Sequence, residues 1–235
     1  MAKVLILSGA GISAESGIST FRDADGLWEN HKISEVCTAG CLDTNGEATK
    51  AFYDARRKDI EDKKPNYAHQ VIVELKHKYP KDIAVLTQNV DDLFEKAGIK
   101  DDEIVHLHGF LRELRCRSCD DVFEIGYQKQ DNFAKKCPTC SGELRPNIVF
   151  FGEAAPLYTQ LTKELNECSL VVIIGTSGNV LDVTYFAQLT EYSILNNLEP
   201  SDAIDDSYFT KVYYAKATDA IAEIAEYIED FLFVS

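Results

Sequence analysis

Short apolar runs alternate along this chain with segments of helical length, and no other feature constrains its fold as strongly. Strands that alternate with helices form βαβ units, so the sequence predicts an α/β fold on a parallel sheet. Helical spacing of apolar residues is clearest at 68–79, 157–167 and 218–231. In the last segment, one face that would cover the sheet consists of Ile221, Ile224, Ala225 and Ile228. The predicted strands are 3–8, 83–87, 104–106, 147–151, 170–175, 194–198 and 212–215.

Two regions break this alternation: residues 28–66 are polar and rich in charge, and residues 115–144 hold four cysteines and few aliphatic side chains. We predict that both belong to a small second domain that is inserted twice into the large one. The predicted large domain consists of residues 1–30, 68–112 and 145–235, and the small domain of a helical module at 31–67 and a ribbon module at 113–144.

The balance of charge excludes some partners. With 39 Asp and Glu against 24 Lys and Arg, the net charge is −15, and no stretch supplies the basic patch that nucleic acid requires. The longest apolar runs, 4–7 and 170–174, are far shorter than the roughly 20 residues of a membrane helix. The N-terminal residues do not have the pattern of a secretory signal, so we expect a cytoplasmic protein that binds neither nucleic acid nor membrane.

The cysteines form the most specific local pattern. Cys116-x-x-Cys119 and Cys137-x-x-Cys140 are separated by seventeen residues, the spacing of paired zinc knuckles. Four thiolates make a closed tetrahedral site, which is structural in most proteins, and the alternative is a pair of redox-active dithiols. We predict one structural zinc ion, with free thiols at the remaining cysteines, which are Cys37, Cys41 and Cys168.

A glycine-rich turn follows the first predicted strand. Gly9-Ala10-Gly11, with Ser13, fits the G-x-G-x-x-G/A fingerprint, in which glycines permit a tight turn near a pyrophosphate. The alternative is a turn that merely connects a strand to a helix. A second turn of small residues, 175–178, also ends an apolar strand, so both could face one crevice at the carboxyl edge of the sheet.

Three further polar clusters follow predicted strands, at 87–91, 106–109 and 146–153. Asn89 and Asp91 could instead cap a helix, and a lone histidine is more often packed or exposed than catalytic. These alternatives leave the occurrence of all three clusters in one chain unexplained.

Taken together, these motifs closely resemble the sirtuins, the NAD-dependent protein lysine deacylases. The matching segments are 9–18, 20–22, 87–91, 108–109, the four cysteines, 151–153, 175–177 and 197–199. The resemblance implies a Rossmann-type sheet with helices on both faces, a small domain of zinc ribbon and helical module, and acyl-lysine meeting NAD in the cleft between them.

The resemblance also implies roles for individual residues. His108 matches the catalytic base, which activates a ribose hydroxyl so that the products are nicotinamide and O-acyl-ADP-ribose. The residues implied to bind NAD are Gly9, Ala10, Gly11, Ser13, Glu15, Phe21, Arg22, Gln88, Asn89, Asp91, Gly175, Thr176, Ser177, Asn197, Glu199 and Ala217. The residues implied to bind the acylated peptide are Ala24, Tyr53, Arg56, Val149, Phe151, Gly152 and Glu153, with 148–153 pairing with the peptide backbone by strand addition.

The chain departs from the family pattern at Asp182, where a proline is common, and in the loop 214–217. These departures leave the local helix geometry and the adenine contacts open.

The pair Tyr53 and Arg56 indicates which acyl group is removed. Residues three apart share a helix face, and this pair resembles the Tyr-x-x-Arg of class III sirtuins, which prefer succinyl, malonyl or glutaryl lysine. A guanidinium binds a carboxylate through two parallel hydrogen bonds. The alternative is that Arg56 and Arg57 lie on a solvated face, and we expect this of Arg57.

The sequence therefore predicts a monomeric, cytoplasmic NAD-dependent lysine deacylase that removes succinyl, malonyl and acetyl groups. The alternatives are a plain deacetylase, a mono-ADP-ribosyltransferase and a non-catalytic NAD-binding regulator.

Overall fold

The computed structural model describes residues 3–19, 27–28 and 31–234. Its strands are β1 (Val4–Ser8), β2 (Leu27–Trp28), β3 (His31–Lys32), β4 (Ile83–Thr87), β5 (Ile104–His106), β6 (Gly109–Cys116), β7 (Val122–Glu124), β8 (Leu144–Ile148), β9 (Leu170–Ile174), β10 (Tyr192–Asn197) and β11 (Lys211–Tyr214). Its helices are α1 (Gly11–Ala14), α2 (Ile33–Val36), α3 (Cys41–Glu61), α4 (Tyr67–Lys78), α5 (Leu93–Ala97), α6 (Gln130–Phe133), α7 (Tyr158–Glu167), α8 (Val183–Leu189) and α9 (Ala217–Val234).

The centre of the large domain is a six-stranded parallel sheet in the order β11-β10-β9-β1-β4-β5. Strands β1 and β9 are apolar apart from one terminal serine and are buried along their whole length, which is typical of central strands covered on both faces. In chain order the strands lie 3-2-1-4-5-6, the Rossmann order, and the order reverses between β1 and β9. The predicted α/β fold is confirmed.

Helices cover both faces of this sheet. Alternate residues of the strands, such as Ile6 and Val172, pack with α4 and α9 in one apolar core. Their neighbours, such as Leu7 and Ile173, pack with α7 and α8 in a second core on the opposite face. The predicted apolar face of α9 is confirmed, because Ile221, Ile224 and Ile228 are buried and Ala225 packs at the edge of this core.

The small domain is built from the two regions that interrupt the alternation. Strands β7, β6 and β8 form an antiparallel sheet, and α2 and α3 pack beside it, with a kink in α3 at Asn45. The prediction that 147–151 joins the parallel sheet is wrong, because β8 ends at Ile148 and pairs with β6. Since β6 runs from Gly109 to Cys116, one strand crosses the boundary predicted at residue 112.

A buried polar junction joins the two domains. Asp92, which is completely buried, forms ion pairs with Lys96 and Arg112 and accepts a hydrogen bond from the Tyr127 hydroxyl. The Lys96 ammonium also donates to three backbone carbonyls at the end of α3, at 2.6–3.1 Å. The start of α5 thereby fixes both the helical module and the ribbon module.

Within the described part of the chain, no helix combines the length and apolar character needed to cross a membrane.

Candidate active site

A cleft of about 970 Å³ opens where the strand order of the sheet reverses, between the sheet and the small domain. Ligands of open α/β sheets bind at this place, beyond the carboxyl ends of the strands. The structure brings the described predicted NAD-site residues together here: Gly9, Ala10, Gly11, Ser13, Glu15, Gln88, Asn89, Asp91, Gly175, Thr176, Ser177, Asn197, Glu199 and Ala217. The same cleft is lined by His108, Tyr53, Arg56, Val149, Phe151, Gly152 and Glu153. The other predicted residues, Phe21, Arg22 and Ala24, lie outside the described part of the chain.

The two glycine turns contact each other across the reversal point. A Cβ at Gly9 would lie 2.7 Å from the Gly175 carbonyl oxygen, and one at Gly11 would lie 2.7 Å from Gly175 Cα. Gly175 itself has φ +68°, a left-handed conformation that favours glycine. The protein's own packing therefore requires glycine where the two turns meet.

A buried polar network forms part of the cleft lining. The Ser13 hydroxyl donates to Asp91 Oδ2 at 2.9 Å and accepts from Asn89 Nδ2 at 3.0 Å. Burial raises the pKa of Asp91 above its ordinary value, although the Leu93 amide and Ser13 oppose the shift. The N-cap residue of α5 is Asp92, not Asn89 or Asp91, although Asp91 Oδ1 accepts from the Leu93 amide at 3.2 Å.

His108 stands at the junction of the sheet and β6, half-buried in the cleft wall. Its Nδ1 lies 3.0 Å from the Gln88 carbonyl oxygen, and its Nε2 lies 2.7 Å from the Tyr158 hydroxyl. Burial lowers the pKa of His108, so the imidazole is neutral at neutral pH. A neutral imidazole whose other nitrogen is fixed by a carbonyl has the chemistry of a general base.

The far end of the cleft is formed by the ends of β9 and β10. Asn197 is buried and donates to the Thr176 carbonyl at 2.8 Å, and Gln88 donates to the Thr176 hydroxyl at 3.1 Å. Glu199 is exposed beside them. Glu15 accepts hydrogen bonds from the amide and hydroxyl of Thr218 at the start of α9.

The helix geometry left open at Asp182 is ordinary. Asp182 is the N-cap of α8, since its carboxylate accepts from the Tyr185 amide at 3.0 Å.

Tyr53 and Arg56 form the opposite end of the cleft, on α3. Both side chains are only 2% exposed, so the alternative of a solvated helix face is wrong. The Tyr53 ring stacks on Phe150 with ring centroids 5.4 Å apart, and Arg56 lies 3.4 Å from the Asp59 carboxylate.

The prediction that Arg57 lies on the surface is also wrong. Its side chain is fully buried and donates to the carbonyls of Leu111 and Gln128, at 3.1 and 3.2 Å, and to Asp54. Arg57 thus anchors α3 to the ribbon module, a contact between segments that are distant in sequence.

The loop that follows β8 is held by an ion pair. Arg145 donates to both oxygens of Glu153, at 2.7 and 2.9 Å, and to the Ile148 carbonyl, and its guanidinium lies 4.2 Å from the Phe150 ring centroid. Burial alone would raise the pKa of Glu153, but these contacts lower it.

Backbone pairing in this loop limits strand addition. The amides of Val149, Phe150 and Phe151 already donate to His108, Glu153 and Cys37. The carbonyls of Ile148, Phe150 and Phe151 also accept hydrogen bonds, from Arg145, the Glu153 amide and the Ala39 amide. A peptide that pairs with 148–153 must therefore use the other backbone groups of this segment.

The four predicted zinc ligands converge at one end of the ribbon module. Their Sγ atoms all lie within 4.8 Å of one another, with Cys116 and Cys140 3.5 Å apart and Cys119 and Cys137 3.7 Å apart. Sulfurs at the Zn–S distance of about 2.3 Å in a tetrahedron are separated by about 3.8 Å, so the cluster fits one structural zinc ion. Each knuckle ends in a left-handed residue, Asp120 or Ser141.

Sequence reasoning missed Tyr158 and Arg145. Tyr158 lies in segment 157–167, whose sequence indicates only a helix, and its contact with His108 spans fifty residues. In the sequence, Arg145 lies between a cysteine knuckle and the predicted strand 147–151, where a basic residue is usually exposed. The nearby Glu153 was the only signal of its pairing.

Comparison with known proteins agrees with this geometry. The profile of the Sir2 family matches residues 9–182. A Campylobacter jejuni (strain RM1221) protein named NAD-dependent protein deacylase is 51% identical over 233 residues, covering 99% of this chain and 98% of the relative. A crystal structure of a Sir2 homolog–NAD complex has a TM-score of 0.83 at 30% identity, covering 98% of this chain and 91% of that chain. Sir2 in complex with the inhibitor EX-527, 2'-O-acetyl-ADP-ribose and deacetylated p53 peptide has a TM-score of 0.75 at 26% identity, covering 95% and 92%.

Proposed function

This chain belongs to the Sir2 family, and we propose that it is an NAD-dependent protein lysine deacylase that removes succinyl and malonyl groups, and also acetyl groups, from lysine. The observation that carries the acyl preference is a buried arginine beside a buried tyrosine in the cleft. The membership of the family supports the dependence on NAD.

The cleft fits a dinucleotide. Its volume of about 970 Å³ lies at the upper end of ligand pockets, and it extends from Ser13 and Gln88 to Asn197 and Glu199. We assign the nicotinamide half to Gln88, Asn89 and Asp91 and the adenosine ribose to Asn197 and Glu199. When bound, NAD supplies an electrophilic ribose carbon and nicotinamide as the leaving group.

In this assignment His108 is the general base. The Gln88 carbonyl only accepts hydrogen bonds, so Nδ1 carries the proton and Nε2 presents its lone pair to the cleft. His108 then takes the proton of a ribose hydroxyl at Nε2. Because burial lowers the pKa of His108, the base remains unprotonated at neutral pH.

The acyl end supports an acidic group. Arg56 and Tyr53 are 2% exposed and line the cleft, so an acyl carboxylate that reaches them leaves water and gains a charged partner. One partner of Arg56 in the ligand-free protein is Asp59, which is 3.4 Å away and has a 36% exposed side chain. A bidentate substrate carboxylate would offer Arg56 two parallel charge-assisted hydrogen bonds, a stronger contact than this one.

The remaining chemistry is structural. Zinc held by Cys116, Cys119, Cys137 and Cys140 would have no open position and would stabilise the ribbon module.

The net charge of −15 favours encounter with lysine-rich protein segments. We further propose that the enzyme acts as a monomer in the cytoplasm.

The test is mass spectrometry of matched acetyl-lysine and succinyl-lysine peptides, incubated with the protein and NAD. We expect nicotinamide and O-acyl-ADP-ribose from both peptides. Arg56→Met should lower kcat/KM on the succinyl peptide by roughly ten- to a hundredfold, the effect of about 1.5–3 kcal/mol for a charged hydrogen bond, and should spare the acetyl peptide.

The matched control is Lys58→Met, which removes an exposed cation from the same helix. It should change neither peptide's rate. Equal loss on both peptides in Arg56→Met would mean that Arg56 is structural and the enzyme a plain deacetylase. Transfer of labelled ADP-ribose to protein without deacylation would instead identify a transferase, and no NAD-dependent product would identify a regulator.

A further inference from the structure

The hydroxyl of Tyr158 contacts Nε2 of His108, the nitrogen that would accept a proton from the substrate. Tyr158 Oη lies 2.7 Å from His108 Nε2, with the two ring centroids 5.8 Å apart and the planes inclined by 53°. The distance is that of a strong hydrogen bond, and the contact lies inside the cleft.

The contact that His108 makes through Nδ1 decides which group donates the hydrogen bond at Nε2. His108 Nδ1 contacts the Gln88 carbonyl, which has no proton to donate, so Nδ1 carries the hydrogen. In the neutral imidazole Nε2 is then an acceptor. Burial raises the pKa of Tyr158, so the phenol is protonated and donates to Nε2.

Tyr158 is placed so that its hydroxyl can leave this position. It is the first residue of α7 and half-buried, and its ring packs at the edge of the apolar core around α7 and α8. The residues before it in the loop, Ala154, Pro156 and Leu157, are exposed. A change at the tyrosine therefore need not disturb the sheet.

We propose that Tyr158 is a positioning residue that caps the base, with its hydroxyl bonded to His108 Nε2 in the ligand-free enzyme and displaced by the reacting hydroxyl of the substrate. One lone pair cannot accept two linear hydrogen bonds, so the reacting hydroxyl and Tyr158 compete for Nε2. The role of His108 as base rests on the proposed function, whereas the hydrogen bond does not.

The cap has a consequence for the titration of His108. A donor to Nε2 stabilises only the neutral imidazole, because the protonated ring has no lone pair there, so the cap lowers the pKa of His108. Burial lowers it in the same direction, and the Gln88 carbonyl opposes both. Four carboxylates line the same cleft. Asp91 and Glu153 are bonded to Ser13 and Arg145, Glu15 is bonded to Thr218, and Glu199 is exposed at the far end.

The first test is NMR titration of His108 in ligand-free protein. Tyr158→Phe keeps the ring but removes the donor, and the pKa of His108 should rise by about half to one pH unit, which is roughly three- to tenfold in the proton affinity. The matched control, Tyr185→Phe, removes the hydroxyl of a 52% exposed tyrosine on α8 and should leave the pKa unchanged. An unchanged pKa in Tyr158→Phe would overturn the proposal.

The second test is the pH profile of kcat/KM for NAD with an acyl-lysine peptide in excess, so that the reference state is the enzyme before NAD binds. Because the cap stabilises only the neutral form of that state, the profiles of wild type and Tyr158→Phe should coincide at acidic pH. At alkaline pH the variant should be at least as active as wild type, and faster by up to the factor found in the titration.

Loss of activity in Tyr158→Phe at every pH would show that the hydroxyl is needed in the transition state, and would overturn the displacement. A wild-type protein without deacylase activity would refute the proposed function, and the titration would still decide whether the cap exists.

Discussion

The ion pair between Arg145 and Glu153 should be among the largest single contributions to the stability of the small domain. In Arg145→Met the methionine keeps most of the aliphatic volume, but the substitution removes two hydrogen bonds to Glu153 and one each to the carbonyls of Ile148 and Pro146. Glu153 keeps a hydrogen bond only from the Phe150 amide among these partners. Its side chain is 24% exposed, so the carboxylate remains poorly solvated.

Breaking a buried pair costs about 3–5 kcal/mol, and the partial exposure of Glu153 places the expected loss near the lower value, about 3 kcal/mol. For a protein of this size each kcal/mol lowers Tm by about 2–4 °C, so Tm should fall by about 6–12 °C. The carboxylate has a lowered pKa in the folded protein, so its contribution is present at neutral pH and is lost as the pH falls through the folded pKa. The difference between wild type and variant should shrink in acid accordingly.

The assay is thermal unfolding of the zinc-loaded protein, with Arg117→Met as the control. Arg117 also contacts two carboxylates, Asp43 and Glu143, but its side chain is 31% exposed and those of its partners more so. Its loss should cost less than about 1 kcal/mol. If Arg145→Met and Arg117→Met lower Tm equally, the reasoning from burial is wrong.

Three other predictions concern the zinc cluster, the glycine turn at Gly11 and the buried histidine of α4, His69. Chelation of zinc should remove the ordered structure of the ribbon module, measured as lost circular dichroism that zinc restores, and an intact spectrum would contradict a structural site. Gly11→Ala places a methyl group 2.7 Å from Gly175 Cα and should destabilise by about 1–3 kcal/mol in denaturant unfolding, whereas Gly46→Ala, with nothing within 4 Å, should not destabilise. Burial lowers the pKa of His69 to about 3, below an unfolded value near 6.5, so stability should fall by up to about 1.4 kcal/mol per unit as the pH drops from 6.5 towards 3. His69→Gln should flatten that slope, and an unaltered slope would show that His69 is not its source.

The sheet and the zinc cluster could be predicted because each depends on residues that are close together in the sequence. Strand β1 and its glycine turn are contiguous in sequence, and the cysteine spacing alone determines two knuckles. The structure confirms the fold class and the fit to one zinc ion, and the comparisons confirm the membership of the family. The individual NAD and peptide contacts stay predictions, although the described residues gather in one cleft.

Long-range pairing accounts for what the sequence did not predict. Residues 147–151 are apolar enough for a buried parallel strand. Their first two residues, 147 and 148, instead belong to β8, which pairs antiparallel with β6. Arg57 is charged and next to Arg56, and only its contacts with carbonyls more than fifty residues away explain its burial. The spacing of polar and apolar residues along a helix does not show which distant backbone groups its side chains will contact.

The two walls of the cleft have separate origins in the chain. Tyr53 and Arg56 come from α3, a segment that leaves the large domain after α1 and returns to it at α4, whereas the turns at Gly9 and Gly175 belong to the sheet. Substitutions in α3 can therefore reshape one end of the cleft without touching the strand ends at the other. The acyl-group selectivity of such an enzyme can therefore change in evolution through the helical module, while the sheet and its nucleotide-binding turns stay the same.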